Sequence, residues 1–394
     1  MIYLRPILLL FVILFMISCN GNKTESSIQK TVNESESKLI IGYNENIETL
    51  ALIYNLSESG DYHFNEIVGP RGTLAKELTD QFEEYKDHEA VKKLNKLLND
   101  GFVDLYDIIL SLYNTNLPEF KQFLKYPSIY YENEGLTAEE TQAIFNDFNK
   151  SVIKFYKDAN LKFIFENDYK GLYDKLMDEV RSVAPTEKFI EEVEVYYGIQ
   201  RDSYEIIVSA FSFNGIGRAK LISSNKGTKA ISLVTSNHLV ESDSVNLNDL
   251  DSFTIGYTDE KYFQEIGLHE LIHTFFHESL KENQKNIALI NELEYLFTDS
   301  LKNDMINQGY VDWKVCFEEH LVRIGEIKIA ERFGNHKFIS EYKKECISNR
   351  GFVYFEIIED LFTEYENNRS KYKNVGEFIP ELVNLLKIKV PNNI

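Results

Sequence analysis

Proline, glycine and cysteine are all scarce in this chain, at 7, 19 and 3 of 394 residues. So few backbone breakers exclude a loop-rich or disordered protein and favour long uninterrupted helices. Three cysteines cannot make a disulfide framework, and none stands in a CxxC pair with zinc spacing. Any metal must then be held by histidine and carboxylate. Basic charge is short as well: 42 Lys and Arg stand against 63 Asp and Glu, a formal net charge of −21, with no basic run along the chain. That surplus repels phosphate backbones and excludes nucleic acid as a partner. What the chain does have is apolar surface. Hydrophobic residues make up 43% and aromatic residues 13%, enough for one large domain or two ordinary ones.

The first twenty residues, MIYLRPILLLFVILFMISCN, carry Arg5, an apolar run from Ile7 to Ile17, then Ser18 and Cys19. A membrane-spanning helix needs roughly twenty apolar residues, so this shorter run reads as a signal peptide over 1–18. MISC resembles the lipobox of bacterial lipoproteins, which implies that Cys19 is lipidated and becomes the first residue of the mature chain. Residues 19–37 are polar, lack aromatics and read as a flexible tether. The expected location is the bacterial cell envelope, at the outer membrane, with the membrane as a partner through the lipid. With Cys19 used in this way, Cys316 and Cys346 are the one pair left that can join in an oxidising compartment.

Beyond the tether, KLIIGY at 38–43 predicts a short strand, and 46 to about 175 reads as mainly helical. Leu94, Leu97, Leu98, Phe102, Leu105 and Ile109 recur at steps of three and four, the spacing of a buried helix stripe. From Glu187 to about Val240 the texture turns β-branched and aromatic. EVEVYYGI, YEIIVSAF, AKLISS and KAISLVTS fit three or four strands, with FNGIG and SNKGT as turns. VESDSVNLNDLDS reads as a loop. Asp259–Leu280, LINELEYLFTDSL and WKVCFEEHLVRIGEIKIAERFG then read as helices, and two more follow. The fold class is α+β, a helical lobe, a small sheet, then helices.

The chemistry concentrates in GLHELIHTFFHESL. His269, Glu270 and His273 form His-Glu-x-x-His. On a helix, residues i and i+4 share a face, so both imidazoles can reach one Zn²⁺, and Glu270 beside the first is placed as general base toward water. Asp259 and Glu260 favour the start of this helix electrostatically. Leu268, Leu271, Ile272, Phe275 and Phe276 make it apolar nearly all round, so its histidines and glutamate are expected to be buried and to need partners or a metal. His277 is the tempting third ligand. Eight residues of helix rise about 12 Å, too far from His269 to share an ion held at about 2 Å. The alternative HExxHxxGxxH route fails because Phe276 and Ser279 occupy its Gly and His positions. An acidic residue downstream must complete the site. Glu292, Glu294 and Asp299 on the next helix, and Glu318, Glu319 and Glu326 on the one after, all qualify. Val315, Val322, Ile329 and Phe333 give the later helix an apolar stripe, and Phe317, Ile324 and Ile327 line its other side, so an inward carboxylate there needs a reason. Periodicity does not choose between Glu318 and Glu319.

GLHELIHTFF, WKVCFEEHLVRIGEIKIAERFG and FEIIEDLFTEYENNRSKYKNVGEFIPELV together resemble a bacterial family of secreted or lipid-anchored proteins, catalogued as a domain of unknown function and regarded as zinc metallopeptidases of the gluzincin type. The resemblance covers about 187–386. It implies a zincin-like fold, mostly helical with a small mixed sheet before the HExxH helix, in a catalytic domain at 186–394 that follows the mainly helical lobe at 38–185. It also implies Glu319 as third ligand within a Glu-x-x-x-Arg pattern completed by Arg323, a pair that otherwise reads as an i,i+4 salt bridge. In zincins an edge strand before the active-site helix pairs with an extended substrate. KAISLVTS is the natural candidate for that edge, and equally an ordinary core strand. With 24 tyrosines in the chain the sequence does not single out a transition-state donor, and Arg323 and Tyr310 are only the residues considered for it. The expected function is zinc-dependent hydrolysis of a peptide or protein substrate, with His269, His273 and Glu319 on the metal and Glu270 as base. The rivals are a non-catalytic envelope lipoprotein that binds a partner or glycan, and a zinc hydrolase of non-peptide bonds.

Overall fold

A computed structural model describes residues 38–68, 74–99, 135–213, 217–224, 227–236 and 245–391. The signal segment, the tether with Cys19, and Phe102, Leu105 and Ile109 lie outside these residues. Strands β1 (Leu39–Gly42), β2 (Ser203–Phe213), β3 (Gly217–Ser224) and β4 (Gly227–Ser236) form one sheet in the order β1-β2-β4-β3. β1 and β4 both run parallel to β2, while β3 is antiparallel to β4. The sheet is therefore mixed, and with helices dominating the rest the class is α+β. KAISLVTS becomes β4, an inner strand, so of its two readings the core strand holds and the edge does not. The short return after β3 folds that hairpin arm outward, so β3 takes the edge and β4 is buried from Ala230 to Ser236.

The helices before the sheet do not form a separate body. Lys38–Ile394 is one compact unit, and its core runs without a break from Ile47 to Leu386. Two buried carboxylates from this helical part fasten the sheet. Glu48, on α1 (Glu45–Asn55), is fully buried and accepts from Ser209 Oγ and the Ala210 and Phe211 N–H groups at 3.0–3.1 Å. These donors sit where the β2–β4 register shifts, between Ser209 and Phe213, and strand partners do not satisfy them. Further along come α2 (Glu89–Asn99), α3 (Ala138–Asp158) and α4 (Lys170–Val183). Leu94 and Leu97 of α2 are buried and Leu98 partly so, as the stripe predicts. On α4, Glu179 accepts from the N–H groups of Ile255, Gly256 and Tyr257 at 2.9–3.1 Å, holding the approach to the HExxH helix. The Tyr257 hydroxyl then bridges strands, near the Ser209 and Val234 carbonyls at 2.9 and 3.0 Å.

EVEVYYGI is not a strand. It lies in α5 (Glu187–Tyr197), which Gly198 ends at φ 66°. The alternating EVEV is compatible with both periods, but Ile190, Val193 and Tyr197 share one helical face, and all three are buried. The HExxH helix is α6 (Glu260–His277), started by Asp259, whose carboxylate accepts the Tyr262 N–H at 3.0 Å. LINELEYLFTDSL breaks into α7 (Gln284–Asn291), a 3₁₀ turn and α8 (Asp299–Ile306), where Thr298 caps the restart. Then come α9 (Trp313–Arg332), α10 (His336–Lys344), α11 (Phe355–Asn367) and α12 (Val375–Lys389), one more helix than the sequence suggests at this end. Cys316 and Cys346 are buried free thiols and do not pair. Burial pushes both up to about 12, so they are inert packing. No helix of the described residues is long and apolar enough to cross a membrane.

Glu48 generates a pH test. Burial raises its carboxyl from 4.5 to about 7, against the hydrogen bonds from Phe211, Ala210 and Ser209 that favour the anion. A raised folded value means that its stabilisation is complete below about 4.5 and is lost as pH rises through about 7. Glu48→Gln imitates the protonated acid. Its unfolding free energy from urea titration should therefore fall less than that of the native chain between about pH 4.5 and 8, by a difference on the order of 1–3 kcal/mol. Identical pH slopes for the two proteins would overturn the burial argument.

Candidate metal centre

α6 lies against β3, β4 and α9. Two glycines set how close these elements come. A Cβ at Gly325 of α9 would collide with the Tyr197 hydroxyl and press on Ile272 of α6. One at Gly217, the first residue of β3, would collide with the side chains of Glu270 and Ile266. Glycine at 325 lets α9 reach α6, and glycine at 217 lets the sheet edge reach Glu270.

At the α6–α9 crossing, one donor atom each from His269, His273 and Glu319 lie within 4.8 Å of one another, a group that can hold a metal ion. The two Nε2 atoms are 3.2 Å apart, His273 Nε2 is 3.3 Å from Glu319 Oε1, and His269 Nε2 is 3.6 Å from Glu319 Oε2. Donors held at about 2.0–2.1 Å by a tetrahedral ion stand about 3.3–3.4 Å from each other, so the spacing is already that of a ligand set. The polar accounting agrees. Glu319 Oε2 is buried and has no hydrogen-bond donor among the described residues, which is costly unless a cation meets it. His269, Glu270 and Glu319 are each 6–8% exposed, so the cluster sits in a largely dry setting.

Charge sharpens the point. Glu318 and Glu326 are buried beside the cluster, and the buried Arg323 pairs with Glu319 and Glu326 while the half-exposed Lys281 pairs with Glu318. Burial alone would raise Glu318, Glu319 and Glu326. The neighbouring imidazoles, with Lys281 for Glu318 and Arg323 for the other two, outweigh it and hold all three below the usual carboxylate range. His273 shows the converse. Burial would lower it, but hydrogen bonds to Glu318 and Glu319 raise it to about 10. Without a metal the cluster thus recruits a proton to offset its negative surplus.

The chain matches a known family, described as a domain of unknown function (DUF4932), over residues 39–385. It belongs to the DUF4932 family. No curated protein and no solved structure matches. The DUF4932 match begins at β1 and ends in α12, so it takes in the helices before the sheet together with the HExxH helix.

Of the carboxylates that the sequence leaves open, Glu319 is the one that joins His269 and His273. Glu318 meets the outer nitrogen of His273 instead, with Oε1 at 2.8 Å from Nδ1. Glu326 Oε1 lies 3.4 Å from His269 Nδ1. Glu292, Glu294 and Asp299 are exposed, and Glu292 pairs with Lys387. His277 is half-buried one turn beyond His273 and faces Glu282 at 3.4 Å. Glu270 follows His269 on α6, and among the described residues its carboxylate meets no hydrogen-bond donor. Arg323 is one of the two residues left open as a transition-state donor. It is buried and engaged, with Nη1 donating to the Tyr342 hydroxyl at 2.5 Å and both Glu319 and Glu326 within 3.6–3.7 Å. Tyr310 is half-buried and accepts from Arg323 at 3.3 Å and Arg350 at 3.4 Å, so its oxygen is also held. Gly217, Lys281 and Tyr342 were invisible to motif reading, because each meets the cluster from a segment with no pattern of its own.

Metal-free protein offers a direct check of this charge balance. The His273 ring should stay protonated at pH 8 and release its proton only near pH 10, as followed by imidazole NMR in the presence of chelator. Because its folded value is raised, the stability it contributes is complete below about 6.5 and lost through about 10. Titration of this ring near 6.5 would contradict the arrangement.

Proposed function

We propose that this DUF4932 chain is a zinc-dependent peptidase of the bacterial cell envelope, lipid-anchored through Cys19. The observation that carries the reading is the convergence of His269, His273 and Glu319 at 3.2–3.6 Å, next in sequence to Glu270. Two imidazoles and one carboxylate form the donor set that suits Zn²⁺ with a position left open, as hydrolytic sites require. Zn²⁺ held there supplies Lewis acidity, which makes water nucleophilic near neutral pH and polarises the scissile carbonyl.

The chain's own residues supply the rest. Glu270, with no competing hydrogen bond among the described residues, takes a proton from the attacking water and passes it to the amine nitrogen as the C–N bond breaks. Gly217 leaves room for that carboxylate beside the sheet edge. Arg323 braces Glu319 from behind at 3.7 Å and so opposes its rotation away from the imidazoles. A peptide substrate is favoured by β3. It ends the sheet, no described strand pairs with its outer side, and Gly217 at its start abuts Glu270. An extended peptide can add to such an edge through backbone hydrogen bonds.

Two variants test the reading. Glu270→Gln should lower cleavage of a peptide library by about 10²–10⁴-fold while zinc content stays at the native level. Glu319→Gln should lower zinc content itself, measured by elemental analysis after dialysis. Native cleavage rates in the Glu270 variant, or cleavage that a chelator leaves untouched, would sink the mechanism.

A further inference from the structure

Resting on that metal site and deepening it, we propose that α9 supplies a positioning carboxylate for each imidazole, and that Lys281 weakens metal binding by sharing one of them. The carboxylates are Glu326 for His269 and Glu318 for His273. A histidine that ligates through Nε2 carries its proton on Nδ1, and the acceptor at Nδ1 fixes the ring's tautomer and orientation and strengthens it as a ligand. Both rings point Nε2 at the shared Glu319 and Nδ1 at a different carboxylate: His273 Nδ1 is hydrogen-bonded to Glu318 at 2.8 Å, while His269 Nδ1 has no hydrogen bond among the described residues and stands 3.4 Å from Glu326, within ion-pair reach. One helix thus carries the ligand and both orienting groups. Seven residues are about two turns, so Glu326 returns to the side of Glu319, and Glu318 stands one step round from it.

The two supports differ in kind. Glu326 is 2% exposed, and its second oxygen is engaged by the Tyr342 hydroxyl, with Arg323 Nη1 at 3.6 Å. Its remaining oxygen faces His269 Nδ1 at 3.4 Å. Glu318 is shared at a single atom. Oε1 meets His273 Nδ1 at 2.8 Å and Lys281 Nζ at 3.2 Å, and the Lys281 side chain is 50% exposed. A cation on that oxygen withdraws the negative charge that would otherwise strengthen His273 as a donor. The Lys281–Glu318 pair therefore links the solvent-facing turn after α6 to the affinity of the centre.

The test measures Co²⁺ and Zn²⁺ dissociation constants of the whole chain by chelator competition, with the Co²⁺ ligand-field spectrum as a report on coordination. Glu318→Gln and Glu326→Gln should each weaken binding by about 10–100-fold. Lys281→Met should tighten it by about two- to fivefold, and the gain should vanish when Glu318→Gln is also present. A lysine acting only by long-range repulsion would give the same gain in both backgrounds, which would overturn the sharing argument. If Glu326→Gln fails to fold, the Lys281 and Glu318 variants complete the cycle, since Lys281 is at the surface. Native protein that binds neither ion refutes this inference together with the metal site. Native protein that binds, with variants within about twofold of it, refutes this inference alone.

Discussion

The centre depends on one helix crossing. α6 can offer two imidazoles from adjacent turns, but the rise of a helix forbids a third ligand from the same continuous segment. A second helix must bring a carboxylate to within 3.6 Å of both rings, and α9 does so by coming close to α6 at Gly325 and Ile272. The crossing then collects the buried carboxylates Glu318, Glu319 and Glu326, two of which share the buried Arg323. Such a surplus is unfavourable in a dry setting unless protons or a cation offset it. The raised value of His273 and the Glu319 oxygen that no described residue hydrogen-bonds are two consequences of the same imbalance.

That crossing is held in place by the part of the chain that looked separable. Glu48 of α1 and Glu179 of α4 each accept backbone N–H groups that strand pairing leaves unmet, one at the irregular end of β2 and the other just before α6. Tyr257, in the segment held by Glu179, bridges β2 and β4. The helices before the sheet are therefore scaffolding for the HExxH helix, and the family match that spans both parts fits this arrangement. The buried carboxylates of this protein do two jobs. Glu48 and Glu179 satisfy backbone donors, whereas Glu318, Glu319 and Glu326 gather around imidazoles.

Where sequence reasoning went astray, the errors share a cause. EVEVYYGI alternates like a strand, yet Ile190, Val193 and Tyr197 also form a helical face, and packing of Tyr197 on Phe275 selects the helix. β4, the last strand before the motif, was open to an edge and a core reading alike, because order along the chain is not order in a sheet. The antiparallel return of β3 moved the edge one strand outward. A motif also carries no information about depth, and only the structure shows the Arg323 guanidinium engaged with Glu319, Glu326 and two tyrosines.

Local periodicity determined the helices of the site by itself. The four-residue step of His269 and His273, the rise that excludes His277, and the apolar girdle that makes α6 and α9 buried all follow from one helix at a time. Which carboxylate meets the imidazoles was a matter of tertiary structure, because Glu318, Glu319 and Glu326 are equally acidic and differ only in the direction they face at the crossing. Their separate roles arise there: Glu319 turns toward both Nε2 atoms, Glu318 and Glu326 toward the Nδ1 atoms. A helix's own sequence sets the spacing of its side chains, but the angle and depth at which two helices cross are set by every residue packed between them.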